Sequence, residues 1–327
     1  MATKLYIEAI REAILQEMRL DDSVFVLGED VGVRGGVFRV TQGLHEEFGE
    51  ARVIDAPLAE SAIAGVAIGA AAYGLKPIAE IQFADFIMPA VNQIISEAAK
   101  MRYRSNNDWQ CPLVVRAPYG GGVHGALYHS QSVEALFYHV PGLKVVMPST
   151  AYDAKGLLIS AIRDPDPVLF FEHKGLYRMV KDEVPDETYA LPIGKAAIRR
   201  TGEDITVITY GLMAHYALEA AEELEKEGIS AYVLDLRTVS PLDKDAILEA
   251  VRATGKVLII HEDNKTGGVG AEVSAIISEE ALFDLDAPIM RLCGPDIPAM
   301  PFSPTMERYY MLNPDKVAVA MRQLAAF

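Results

Sequence analysis

Residues 53–72 read VIDAPLAESAIAGVAIGAAA. The first three residues form an extended segment closed by Pro57, and from Ala59 onward alanine and glycine alternate with isoleucine and valine. That pattern suits a tightly packed helix. One carboxylate, Glu60, stands in this apolar run. Near a helix start the dipole favours its charge, whereas burial favours the neutral acid. A carboxyl group balanced in this way can hold a proton or a cofactor nitrogen. It can equally be an ordinary first-turn glutamate facing water, and the stretch alone leaves both readings open.

Working outward, apolar residues at Tyr6, Ile7, Ile10, Ile14 and Met18 give the first segment helical spacing. Residues 23–27, SVFVL, read as a short buried strand ending in Gly28-Glu29-Asp30, and the glycine-rich loop VGVRGGVFRV follows. A short helix at 41–48 leads into the strand at 52–55. Beyond the small-residue helix Gly74 is a cap, and KPIAEIQ at 76–82 returns as a strand. Pro89 suits the first turn of a further helix, whose one face carries Ile94, Ile95, Ala98 and Met101. Strands at 113–117, 144–147 and 168–172, with a helix at 151–162, continue the alternation. This rhythm predicts a parallel sheet covered on both faces.

The composition then shifts. Residues 181–192, KDEVPDETYALP, are charged, contain two prolines and show no period, as expected of an interdomain linker. The expected organisation is a first domain over residues 1–181, a linker over 182–195 and a second, smaller α/β domain over 196–327. In the second, strands at 205–210, 231–236, 256–261 and 288–292 alternate with helices at 214–227, 243–254 and 269–282.

At 327 residues and half hydrophobic, the chain has material for two packed domains. A formal net charge of −16 argues against a nucleic-acid backbone as partner. Two distant cysteines, Cys111 and Cys293, suggest a reducing compartment. The charged amphipathic start lacks the features of a signal peptide, and no apolar run reaches membrane-spanning length, so a cytoplasmic protein is expected.

Several local patterns suggest chemistry. Gly120 to Gly125 formally satisfies GxGxxG after a strand, but no acidic residue closes the next strand, LKVVM. His124 and His129 lie in the same loop. They have no other metal-ligating residue at suitable spacing, so a catalytic or a structural histidine is the better reading. The acidic loop RDPDP, with Asp164 and Asp166, is either a cation site or a solvated turn. Phosphate-loop, GxSxG and HExxH patterns are absent.

Taken in order, GEDVGVRGGVF, DAPLAESAIAGVAIGAA, EIQFADFIMPAVNQI, HGALYHSQS, PGLKVV and DLRTVSPLD resemble the beta subunit of the thiamine-diphosphate-dependent decarboxylating component of 2-oxo acid dehydrogenases. The resemblance spans essentially the whole chain. HGALYHSQS is more similar to the bacterial branched-chain enzymes than to pyruvate dehydrogenases.

The resemblance implies a pyrimidine-type thiamine-binding domain followed by a transketolase C-terminal-like domain. It implies that Glu60 hydrogen-bonds the cofactor's pyrimidine ring and favours its imino tautomer. Leu58, Gln82 and Phe86 would line the same pocket, with Phe86 standing where many relatives have tyrosine. His129 would serve acyl transfer to the lipoyl group. Potassium would bind at Asp164 and Asp166 with the carbonyls of Leu113 and Ala161. No GDG sequence with its downstream asparagine is present. The resemblance therefore assigns Mg2+ and the diphosphate to an alpha subunit in an α2β2 enzyme. It assigns the second domain to docking the peripheral-subunit-binding domain of the lipoyl acyltransferase core. A pyruvate or acetoin dehydrogenase, and a non-catalytic scaffold subunit, are the alternatives.

Overall fold

In the computed structural model, which describes residues 2–327, the first of two units runs to Tyr119 and resumes from Leu136 to Ile193. Its strands are β1 (Ala2–Leu5), β2 (Val24–Gly28), β3 (Val53–Asp55), β4 (Lys76–Glu80), β5 (Val114–Tyr119), β6 (Lys144–Val146), β7 (Val168–His173) and β8 (Lys181–Val184). Parallel pairing sets the order β6-β7-β5-β4-β2-β3. β2, β5 and β7 are buried at every position, so both sheet faces are covered and the strands read as unbroken rather than alternating runs. This is the parallel α/β sheet expected from the sequence.

The helix Glu60–Ala72 follows β3 and turns Ile63, Ala64, Ala67, Ile68 and Ala71 inward. It packs against β4 and the segment Ala84–Ala90. Its outer side carries Gly65, Val66 and Gly69, exposed in this chain. On one flank, the helix Tyr6–Leu20 packs on Ala151–Arg163, with buried Glu17 bound by Arg163 through hydrogen bonds of 2.7 and 2.8 Å.

Two local expectations need correction. Pro89 does not open a regular helix. It lies inside a tight 3-10 segment, Ala84–Ala90, and the backbone then widens to a π turn at Gln93–Glu97 before regaining α geometry at Met101–Arg104. The changing pitch leaves Ile94, Ala98 and Met101 buried but Ile95 only half-buried. Within the stretch read as linker, Lys181–Val184 is β8 and pairs antiparallel with β1. Both strands of this ribbon are largely exposed, so neither carries the apolar alternation that reveals a strand.

The second unit comprises Gly120–Ala135 and Gly194–Phe327. It contains β9 (Ala197–Arg200), β10 (Ile205–Thr209), β11 (Ala231–Asp235), β12 (Thr238–Ser240), β13 (Val257–Asn264) and β14 (Met290–Gly294). The five-stranded sheet has the order β14-β13-β10-β11-β9, parallel except for the β9 edge. A C-terminal helix, Pro314–Ala325, packs on Leu212–Glu225. Arg322 ties the pair together through Glu223 and Glu227. Asn313 caps that helix by accepting the Lys316 N–H at 2.9 Å, and Pro314 occupies its first turn.

Candidate functional site

Open α/β sheets present ligand-binding loops at the carboxyl ends of their strands. At that edge of the first unit, β2 ends in Gly28-Glu29-Asp30, β3 leads to Leu58 and Glu60, and β4 leads to Gln82 and Phe86. Glu60 is the first residue of its helix, where the free backbone N–H groups favour a carboxylate. Glu29 faces it. Burial first, then the charge of Glu60 and then that of Asp30, push the Glu29 carboxyl above the usual range. Gln82 and Phe86 are half-buried, and the Phe86 ring meets Phe83 edge-on at 5.7 Å. Leu58 is 79% exposed and has its apolar side chain free for a ligand or partner. A carboxylate acceptor, an amide and apolar faces converge on one sheet edge. Such a set fits a planar nitrogen heterocycle held edge-on by hydrogen bonds.

Beneath this edge lies a buried charge network absent from the sequence reading. Arg116 on β5 is fully buried and grips Glu172 on β7 through two bonds of 2.6 and 2.7 Å. Its third bond, 2.6 Å, reaches Glu80 on β4. Tyr177 donates to Glu172 at 2.6 Å. Burial opposes the Arg116 charge, but Glu172 and Glu80 outweigh it and raise its pKa. Glu80 is pushed up by burial, against the pull of Arg116. A Cβ at Gly36 would stand 3.1 Å from Glu80 Oε1, so the glycine-rich loop after β2 rests on this network.

The acidic loop after Ala151–Arg163 is compensated within the first unit. Lys144 binds both oxygens of Asp164 at 2.6 Å, and Arg102 binds Asp166. The carbonyl of Leu113 accepts from Val168 at 2.9 Å, and that of Ala161 from Asp164 at 3.3 Å. Each carbonyl keeps a second lone pair. Among the described residues, no group of three or more His, Cys, Asp or Glu is arranged to hold a metal ion.

His129 belongs to the second unit, in the loop 120–135. No α-helix opens directly after the GxGxxG glycines. A 3-10 turn, Ala126–Tyr128, follows instead, and His129 ends it. Gly120, Gly122, His124 and Ala126 all have positive φ, between +51° and +85°. The left-handed region costs a residue with a side chain about 1–2 kcal/mol. Contacts hold the loop in this form. Gly120 N–H donates to Gln131 O at 3.0 Å, Gly121 N–H to Glu262 at 2.6 Å and Gln131 Nε2 to Leu127 O at 3.0 Å. Below, Tyr210 donates to Glu134 at 2.8 Å. Burial, followed by the charge of Asp263, pushes the Glu134 carboxyl well up. Asp263 itself is pushed up to about 6, chiefly by burial.

Of the nine candidate residues, all within residues 1–181, the structure places eight in the first unit (Leu58, Glu60, Gln82, Phe86, Leu113, Ala161, Asp164 and Asp166) and one, His129, in the second. The sequence reading passed over Glu29, Arg116 and the carboxylates under the His129 loop. Arg116 had a visible signal, a charge inside the apolar strand LVVRA. Glu262, Asp263 and Glu307 are remote from the loop in sequence and had none.

Residues 3–180 match the transketolase pyrimidine binding domain, and residues 194–317 the transketolase C-terminal domain. The chain is 72% identical over 327 residues to the 2-oxoisovalerate dehydrogenase subunit beta of Bacillus subtilis (strain 168), covering 100% of both. It is 49% identical, again over 100% of both, to the pyruvate dehydrogenase E1 component subunit beta of the same organism. Among solved structures, a split gene transketolase described as an inactive beta4 tetramer gives a TM-score of 0.79 at 26% identity and covers 98% of each chain. With both domains matched in order and relatives this similar over their full length, the chain belongs to the thiamine-diphosphate-dependent family of 2-oxo acid dehydrogenase beta subunits.

Proposed function

We propose that this chain, with an alpha subunit in an α2β2 enzyme, oxidatively decarboxylates a branched-chain 2-oxo acid and passes the acyl group to lipoyl-lysine. The observation that carries the substrate choice is the gap between 72% identity to a 2-oxoisovalerate subunit and 49% to a pyruvate subunit. In the balanced reaction, the carboxylate leaves as CO2 and the lipoyl disulfide is the oxidant. One sulfur takes the acyl group and the other a proton.

Thiamine diphosphate, when bound, supplies a nucleophilic thiazolium carbon. Glu60 would hold the proton shared with the pyrimidine ring nitrogen. Glu29 nearby has its carboxyl pushed up by burial first and then by the charge of Glu60. Leu58 and Phe86 would give that proton apolar surroundings, and Gln82 would offer an amide to the ring. Phe86 lacks a phenol and contributes a face alone. His129 would serve the lipoyl-dependent step as proton donor or by orienting the dithiolane.

Mg2+ and the diphosphate belong, in this reading, to the alpha subunit. The absence of a GDG motif from the sequence favours that division. K+ at the 161–166 loop would rest on the carbonyls of Leu113 and Ala161, because the carboxylates of Asp164 and Asp166 are already paired. The second unit would dock the peripheral-subunit-binding domain of the acyltransferase. No described helix is long and apolar enough to cross a membrane, and together with the bacterial relatives this supports work in the cytoplasm.

The test is turnover by the enzyme reconstituted with its alpha subunit. kcat/KM for 3-methyl-2-oxobutanoate is expected to exceed that for pyruvate at least tenfold. Faster turnover of pyruvate, or of acetoin, would overturn the substrate assignment.

A further inference from the structure

The turn that ends in His129 contains two residues other than glycine with left-handed backbones, His124 (φ +54°) and Ala126 (φ +51°). Such conformations persist where surrounding contacts over-determine them. At His124 that contact is Glu307, whose Oε2 meets the ring Nδ1. A carboxylate accepts, so the tautomer that suits this contact is the one with Nδ1–H donating to Oε2. The two partners differ sharply in exposure. The His124 side chain is 69% exposed and that of Glu307 is 3% exposed. The carboxylate is therefore the fixed partner and the loop is what it fixes. Glu307 Oε1 is buried with no hydrogen-bond partner in the described structure, so His124 is the contact that offsets the burial of this carboxyl group.

Two further contacts carry this constraint to His129. Met300 and Met311 close over Gly121 and Gly122, at 2.7 and 3.5 Å from where their Cβ atoms would stand, which seats the front of the loop on the segment that carries Glu307. Immediately after His124, Gly125 lies directly against the histidine. A Cβ at Gly125 would stand 2.5 Å from His129 Cβ. With no space between them, a displaced His124 moves the surface on which His129 rests.

We propose that Glu307 is a positioning residue for His129. It acts through His124, whose backbone it holds in the left-handed region, and so sets the turn that aims the His129 ring. The proposal rests on the reading of His129 as the group serving the lipoyl-dependent step.

The test uses the enzyme reconstituted with its alpha subunit and two assays: acylation of the lipoyl domain, and decarboxylation with an artificial electron acceptor. Glu307→Leu is expected to lower the lipoyl-dependent rate at least tenfold and the artificial rate less than threefold. Glu307→Gln, which keeps an oxygen acceptor for Nδ1, should restore most of the loss. His124→Ala removes the exposed end of the same contact, and it should reproduce the Glu307→Leu pattern. Combining Glu307→Leu with His129→Ala should be no worse than His129→Ala alone. Additive losses, an unaffected lipoyl-dependent rate, or equal losses in both assays for His124→Ala would overturn the positioning role. Equal losses in both assays for His129→Ala alone would instead overturn the reading of His129.

Discussion

Glu60→Ala, coexpressed with the alpha subunit, is expected to assemble normally and to lose decarboxylation by about 10³-fold, within the range that a positioned acid or base contributes. Three features carry this expectation. Glu60 opens its helix, it faces Glu29 at close enough range to push that carboxyl up, and it sits where the strand ends of the parallel sheet present their loops. The helix itself should survive, because Ala59 provides no side-chain cap and the buried contacts are made by Ile63, Ala64, Ala67 and Ile68 further on. Glu60→Gln separates shape from proton chemistry. It keeps the size and the hydrogen bond but cannot share a proton with a ring nitrogen, so it should be as inactive as the alanine variant. Decarboxylation at the wild-type rate by either variant would favour a scaffold subunit over a catalytic one.

The second large effect is on stability. Arg116→Met is expected to destabilise the chain by about 3–5 kcal/mol, the usual cost of removing one partner from a buried ion network. Glu172 is wholly buried and Glu80 nearly so, and both would be left without their cation. Protonating them is the remaining escape, and burial already pushes Glu80 in that direction. Unfolding by denaturant should therefore show a midpoint that falls steeply. Adding Glu172→Gln should recover part of the loss by removing one uncompensated charge. A change below 1 kcal/mol in Arg116→Met would mean that water or rearrangement satisfies the carboxylates, contrary to the geometry.

The sheet of the first unit was legible because its inner strands β2, β5 and β7 are buried on both faces and therefore read as largely apolar runs separated by helical spacing. β1 and β8 were not, since an exposed two-stranded ribbon has no apolar face to alternate with a polar one. Pro89 departs from its expected place at a helix start for a related reason. Sequence spacing assumes one helical pitch, whereas residues 84–104 change pitch three times. The C-terminal helix carries a start signal in its sequence, Asn313-Pro314.

The site divides along the same lines. Glu60 was visible as a lone carboxylate in an apolar run, but spacing could not decide whether it faced a ligand or water. The family resemblance implies a role for it, and the structure adds Glu29 nearby. Arg116 announced itself as a charge in a buried strand. Its partners depend on β4, β5 and β7 being neighbours, which no local pattern reveals. The His124–Glu307 contact joins residues 183 positions apart. Nothing short of the folded second unit brings them together.

The central claim is that this chain holds the proton-handling end of thiamine diphosphate and depends on an alpha subunit for the other end. It is tested most directly by titrating the purified chain with alpha subunit at saturating thiamine diphosphate and Mg2+ and following decarboxylation of 3-methyl-2-oxobutanoate. No turnover by the chain alone is expected, with a rise to a plateau at one alpha subunit per chain and no rise when the chain carries Glu60→Gln. Turnover by the chain in the absence of alpha subunit, or a full plateau with Glu60→Gln, would contradict that claim.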